Sequence, residues 1–143
     1  MSDRKTVTKV GLALIREGHV LLVRRSGDPF LILPGGKPQG GEADTEALQR
    51  EIEEELSCRL DESTLEHLGD YEDELAGDPK LRINVHLYVG ELRGTPRPSA
   101  EIGELVWHPV GDLDEQSLAP SLRNQILGDL ARRGAQGIPF EYE

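Results

Sequence analysis

The chain predicts an α/β fold, and three features of the sequence lead there. Apolar residues alternate at period two in several segments, INVHLYV within Leu81 to Leu92 being the clearest. Two further stretches, Asp44 to Leu56 and Pro120 to Arg133, instead repeat apolar residues at intervals of three and four, as amphipathic helices do. No repeat or low-complexity tract interrupts this order, and 143 residues with 36% hydrophobic content suit one domain, residues 1–143, around one core.

The elements follow in order. Thr6 to Ile15 and His19 to Arg25 read as two strands around a Glu17-Gly18 turn, and Phe30 to Leu33 as a short extended piece entering a glycine-rich loop. After the first helix, Leu65 to Leu75 and Leu81 to Leu92 read as long strands joined by a turn at Ala76 to Pro79. Gly94 to Ser99 is a loop placed to lie over a site, and Leu105 to His108 one more short strand. The terminal helix carries Leu122, Ile126, Leu127 and Leu130 on its inner stripe, with Gly134 as its stop.

The first helix and its entry loop hold the chemistry. At 100° per residue Glu51, Glu54 and Glu55 share one face, so their carboxylates converge on one small volume. Like charges at this spacing destabilise a helix by a few tenths of a kcal/mol per pair, roughly, and a divalent cation removes that penalty. An all-oxygen cluster with no cysteine or histidine beside it selects Mg²⁺, or Mn²⁺, over zinc. The adjacent face, Thr45, Leu48, Ile52 and Leu56, docks the helix, while Glu46, Gln49 and Glu53 face water. Asp44 fits an N-cap, and Ala47 at the position of a capping-box acid makes that cap simple. Upstream, LPGGKPQGGE has four glycines and two prolines, so its backbone can approach a phosphate or metal closely.

Charge and composition exclude other classes. A net charge of −11 argues against a nucleic-acid polymer as partner, since phosphate backbones are held by basic surfaces. Small polyphosphates bridged by metal ions remain compatible. MSDRKTVTKV has no apolar signal core, no run approaches membrane-spanning length, and the single cysteine, Cys58, has no internal disulfide partner; a reducing cytoplasm is expected. His19, His67, His86 and His108 are scattered without zinc spacing.

Gly36 to Cys58 resembles the Nudix box, the signature of the Nudix hydrolases, written G-x5-E-x7-R-E-U-x-E-E-x-G-U with U a bulky aliphatic residue. Gly36, Glu42, Arg50, Glu51, Ile52, Glu54 and Glu55 fall in register. Ser57 stands where the family has glycine, and Cys58 where it has an aliphatic residue. The resemblance implies the Nudix fold, a mixed β-sheet sandwiched between α-helices. It also implies a hydrolase that uses water to cleave a pyrophosphate bond in a nucleoside diphosphate linked to another group. Glu51, Glu54 and Glu55 would hold the metal, joined by the Gly35 carbonyl, and Glu42 and Arg50 would brace the loop against the helix.

Many family members add an acid from the part of the chain that here reads AEIGELVW. Glu104, at the root of a strand, is the first choice over Glu101 on a looser loop, so the candidate bases are Glu51, Glu54, Glu55 and Glu104. Arg24, Arg25 and Lys37 are candidates for phosphate oxygens. Phe30, Tyr71, Tyr88 and Trp107 read first as core, with Phe30 kept as a substrate contact that could stack a base. The short chain, with no amino-terminal extension, favours a nucleoside triphosphate over a nucleotide sugar or dinucleoside polyphosphate. A non-catalytic nucleotide-sensing relative would show eroded ligand positions, and none is eroded here. A monomer or homodimer is expected.

Overall fold

The computed structural model describes residues 5–135. Its strands are β1 (Thr6–Ala13), β2 (Ile15–Arg16), β3 (His19–Arg25), β4 (Gly35–Gly36), β5 (Arg59–Leu75), β6 (Asp78–Arg93) and β7 (Ile102–Pro109). Its helices are α1 (Asp44–Leu56) and α2 (Leu127–Ala135), the second preceded by a π turn at Leu122–Ile126. One sheet has the order β4-β1-β6-β5 and a second the order β2-β3-β7. The β1–β6 pair is parallel and the other pairs antiparallel, so the architecture is mixed, as expected, but divided into two sheets. The division falls at Leu14, where the single strand expected over Thr6 to Ile15 passes from one sheet to the other. Glu17 and Gly18 both have positive φ, which suits the tight right-twisted turn between Arg16 and His19.

Strand alternation builds a core on each face. Val10, Leu12 and Leu14 with Leu21 and Val23 meet Ala47, Leu48, Ile52 and Leu56 of α1. Ala13 and Ile15, with Val20, Leu22, Val85, Leu87 and Val89, point the other way and meet Leu122, Ile126, Leu127 and Leu130. Both faces of β1 are therefore covered by helix, which is the sandwich that the sequence implies. Ile52 is wholly buried; shortening such a side chain to alanine costs about 2 to 5 kcal/mol.

Several boundaries differ from expectation. β5 begins at Arg59 rather than Leu65 because Arg59, Leu60 and Asp61 pair with Arg93, Leu92 and Glu91, ahead of a bulge that carries residues 62–65 out of register. β7 begins at Ile102 and takes in Glu104, which pairs with Arg24. Phe30 to Leu33 makes only isolated bridges, Val23 with Ile32 and Leu31 with Leu118. The terminal helical segment runs past Gly134 to Ala135, so Gly134 is not its stop.

The N-cap of α1 is Ala43, whose N–H donates to Glu46 Oε1 at 2.8 Å. Asp44 is instead engaged across the fold: its Oδ2 accepts the Tyr88 hydroxyl at 3.0 Å and lies 2.8 Å from His86 Nδ1. Thr45 is exposed and Ala47 takes its expected place on the buried stripe. At the other end Ser57 adopts the left-handed conformation, φ 52°, and donates its N–H to the Glu53 carbonyl.

A Cβ in that conformation costs roughly 1 kcal/mol, which glycine avoids. Ser57→Gly should therefore stabilise the fold by up to about 1 kcal/mol, read as a raised denaturation midpoint. A lowered midpoint would show that the serine contributes more at this helix end than its backbone strain costs.

Candidate active site

The site begins with two residues that have no side chain. A Cβ on Gly36 would lie 2.1 Å from Glu51 Oε2, so the carboxylate occupies space that any other residue would fill. Gly35 has φ 141°, and a Cβ there would sit 2.0 Å from the Val10 carbonyl oxygen. Glycine at both positions lets β4 lie tightly on β1 while α1 presses its acids against the strand. The Gly35 N–H donates to Glu55 Oε1 at 2.9 Å.

Arg50 binds the entry loop to the helix. Its Nε donates to Glu42 Oε2 at 2.8 Å and its Nη2 to Glu42 Oε1 at 2.9 Å, a bidentate pair, while Nη2 also reaches the Lys37 carbonyl at 3.1 Å. Its Nη1 donates to Glu51 Oε1 at 2.7 Å and lies 3.6 Å from Glu54 Oε1. Glu42 Oε1 further accepts the Gln39 N–H at 2.8 Å. The hydrogen bond from Arg50, helped by that from Gln39, pulls the Glu42 carboxyl down to about 2. Glu42 and Arg50 thus make the loop-to-helix contact that the resemblance implies.

Glu51, Glu54 and Glu55 share a helical face but meet three different fates. Glu51 is held by Arg50, Glu54 is half exposed, and Glu55 is buried. Among the described residues no three His, Cys, Asp or Glu side chains gather into a ready metal cage. The three carboxylates are not gathered in this arrangement: Glu51 Oε1 is bonded to Arg50, Glu54 Oε1 lies 3.6 Å from the same guanidinium, and Glu55 Oε1 is bonded to the Gly35 N–H. One observation nevertheless fits a hard cation: Glu55 Oε2 is buried with no hydrogen-bond partner. Burial, only partly offset by the nearby Lys9 ammonium and the Gly35 N–H, pushes the Glu55 carboxyl up to about 7. The donors at hand are carboxylate oxygens, the set that Mg²⁺ or Mn²⁺ prefers.

Lys9, which sequence reasoning passed over, is buried in the same place. Its Nζ donates to the Leu33 carbonyl at 2.8 Å, and desolvation, opposed by Glu55, lowers its pKa to about 8. A lysine inside a strand covered on both faces is buried except where it meets the cleft. That signal is visible only once β1 is known to be central.

Of these residues Lys9, Gly36, Lys37 and Glu51 line a cleft of about 430 Å³. Its polar lining includes Lys9, Arg25, Lys37, Glu51, Glu74 and Glu101, and its apolar lining Phe30, Leu75, Leu81, Ile83, Val85 and Leu122. Arg25, Lys37 and Phe30, expected as substrate contacts, are all in the lining. Phe30 also packs at the tip of the β5–β6 hairpin, where a Cβ on Gly77 would lie 3.4 Å from its ring.

Glu104 is not in the lining: its carboxylate accepts from Arg24 Nε at 2.8 Å across the β3–β7 ladder, which also removes Arg24 as a free cation. Glu101 takes its place, and its segment is not loose. The Ser99 N–H donates to the Glu55 carbonyl at 3.0 Å, the Arg97 N–H to the Leu56 carbonyl at 2.9 Å, and the Glu101 carbonyl accepts the Ser26 N–H at 2.8 Å. The loop from Gly94 therefore caps the end of α1 and delivers Glu101 to the cleft. Tyr71 and Tyr88 are partly buried outside the lining, and Trp107, expected in the core, is 39% exposed.

The model of the NUDIX domain matches residues 5–127. The chain belongs to the Nudix hydrolase family. Nudix hydrolases act on phosphoric anhydride bonds, and this chain is an enzyme of that class. Its relatives include a Mycobacterium tuberculosis protein provisionally named 8-oxo-dGTP diphosphatase 2, 35% identical over 126 residues, covering 84% of each chain. A Bacillus subtilis protein, provisionally named 8-oxo-dGTP diphosphatase, is 31% identical and covers 89% of this chain and 80% of its own. The crystal structure of a MutT NUDIX hydrolase from Burkholderia pseudomallei superimposes with a TM-score of 0.72 at 28% identity, covering 88% of this chain and 98% of that one. Among the described residues no helix is long and apolar enough to cross a membrane.

In this Nudix site the Glu42–Arg50 pair gives a pH dependence of definite sign. The folded carboxyl, near 2, lies below its ordinary 4.5, so the stabilisation is complete above pH 4.5 and is lost as pH falls toward 2. Comparing acid unfolding of wild type and Glu42→Gln should show a stability gap that narrows across that window. A gap that stays constant would mean that the pair does not brace the loop.

Proposed function

We propose that this Nudix hydrolase is a Mg²⁺-dependent nucleoside triphosphate pyrophosphohydrolase. The observation that carries the reading is the cleft, which combines apolar surface suited to a base with Gly36, Glu51 and the cations Lys9, Arg25 and Lys37, suited to a metal-bound polyphosphate. The provisional names of the two bacterial relatives favour a purine nucleoside triphosphate, oxidised at the base, as the substrate class. Nucleotide sugars and dinucleoside polyphosphates, which carry a second bulky group, are the alternative substrate classes. A small nucleotide, with no nucleic-acid polymer or membrane involved, suits the acidic chain, and a reducing cytoplasm suits its buried free thiol. A monomer or homodimer is proposed with it.

Glu51, Glu54 and Glu55, with the Gly35 carbonyl, would hold Mg²⁺, Mn²⁺ substituting. When bound, the ion would supply charge neutralisation on phosphate oxygens and acidify water. The protein's own groups do the rest. Arg50 holds Glu51 in place by its hydrogen bond, and Arg25 and Lys37 meet phosphate oxygens at the cleft mouth. Phe30 closes over the base. Glu101, fixed through its backbone to β3 and to the end of α1, accepts the proton from the attacking water, a role in which it replaces Glu104.

Product-resolved assays of nucleoside triphosphates should show nucleoside monophosphate and pyrophosphate only with divalent metal. Glu54→Gln, which removes charge at nearly constant shape, should keep the fold and reduce turnover by orders of magnitude; wild-type rates at limiting Mg²⁺ would overturn its role. Glu101→Gln should cost roughly 10²- to 10⁴-fold in kcat with little change in KM, and Glu104→Gln much less. The reverse ranking would restore Glu104 as the added acid.

A further inference from the structure

Lys9 is the buried charge that the reading above does not use. It is 9% exposed, and one of its three N–H groups is bonded, to the Leu33 carbonyl. No other hydrogen-bond partner for the ammonium exists among the described residues, yet the side chain lines the cleft. Its position along the cleft follows from strand alternation and register. Val7, Lys9 and Gly11 share one face of β1; Val7 is paired with Ile83, Lys9 with Val85, and Gly11 with Gly35. Lys9 therefore stands between the apolar lining on one side and the glycine pair with its acids on the other.

Resting on the nucleotide hydrolase reading, we propose that Lys9 is a substrate-binding residue whose two remaining N–H groups hold a phosphoryl oxygen of the polyphosphate. A buried ammonium with unmet donors is costly unless a ligand supplies acceptors, and anionic phosphate oxygens supply the strongest. Glu51 and Glu55 lie near enough to act electrostatically on Lys9, which places the ammonium within the charge field of the acids of α1. Arg25 and Lys37 are exposed and sit at the cleft mouth, so Lys9 is the cation on its floor. A rigidly held donor there fixes the depth to which the polyphosphate enters, and with it how far the nucleoside extends along the apolar lining.

The test is equilibrium binding with Mg²⁺, by calorimetry, of two probes: a dGTP analogue with a non-hydrolysable α,β bridge, and inorganic tripolyphosphate, which has no base. Lys9→Met, of similar volume, should weaken both by about 10- to 100-fold. Lys9→Gln, which keeps a donor for the Leu33 carbonyl, should do the same, while Lys9→Arg should recover part of the loss. Thermal denaturation identifies a variant that fails to fold, and Lys9→Gln then carries the comparison. Unchanged binding of both probes overturns the role of Lys9 and leaves the hydrolase reading intact. Weakening of the dGTP analogue alone also overturns it, by placing the contact on the base. Wild-type protein that binds neither probe overturns the substrate reading itself and this assignment with it.

Discussion

The site depends on the absence of two Cβ atoms. Because Gly35 and Gly36 carry none, β4 can lie on β1 while the carboxylate of Glu51 occupies the space beside the backbone. The same close approach lets the Gly35 N–H reach Glu55 and leaves the other oxygen of that carboxylate buried and unpaired. A side chain at Gly35 would push β4 off β1 and one at Gly36 would displace Glu51 of α1, and the loop, helix and cleft floor would lose their common reference. The close approach at the two glycines thus also shapes the surroundings of the buried Glu55 carboxylate.

Within that environment the protein uses cations sparingly. The chain has 27 acidic against 16 basic residues, and two of the cations at the site, Arg50 and Lys9, play contrasting parts. Arg50 spans Glu42 and Glu51, converting a loop entropy problem into a planar, bidentate contact. Lys9 provides a point charge from the opposite wall. The two are not interchangeable: the guanidinium is satisfied on several sides by protein, whereas the ammonium has one protein acceptor.

How much of this was legible in the sequence depended on whether local spacing or long-range pairing decided it. The extent of α1 and its buried stripe from Leu48 to Leu56 follow from periodicity, whereas the Glu42–Arg50 contact was implied by the resemblance to the Nudix box. The N-cap was misplaced by one residue because Asp44 is claimed by His86 and Tyr88, more than forty positions away. Glu101 was set aside as loose because its anchors, Ser26 and the end of α1, are invisible to a local reading. Glu104 fell to Arg24 for a similar reason, since only the β3–β7 register brings the two together. The convergence of three carboxylates was inferred from helical geometry alone, which omits an arginine on the same helix competing for them.

Trp107, the chain's single tryptophan, lies partly exposed on β7 with the Arg16 guanidinium 5.7 Å from its ring centre. Its indole stands on the three-stranded sheet and does not line the cleft. Intrinsic fluorescence of this protein is therefore a spectator of the chemistry: it follows the docking of β3 on β7 and the seating of Arg16, itself paired with Glu91 of the other sheet. The optical signal of unfolding and the occupancy of the cleft are separable, because the chromophore and the ligand are served by different parts of the same scaffold.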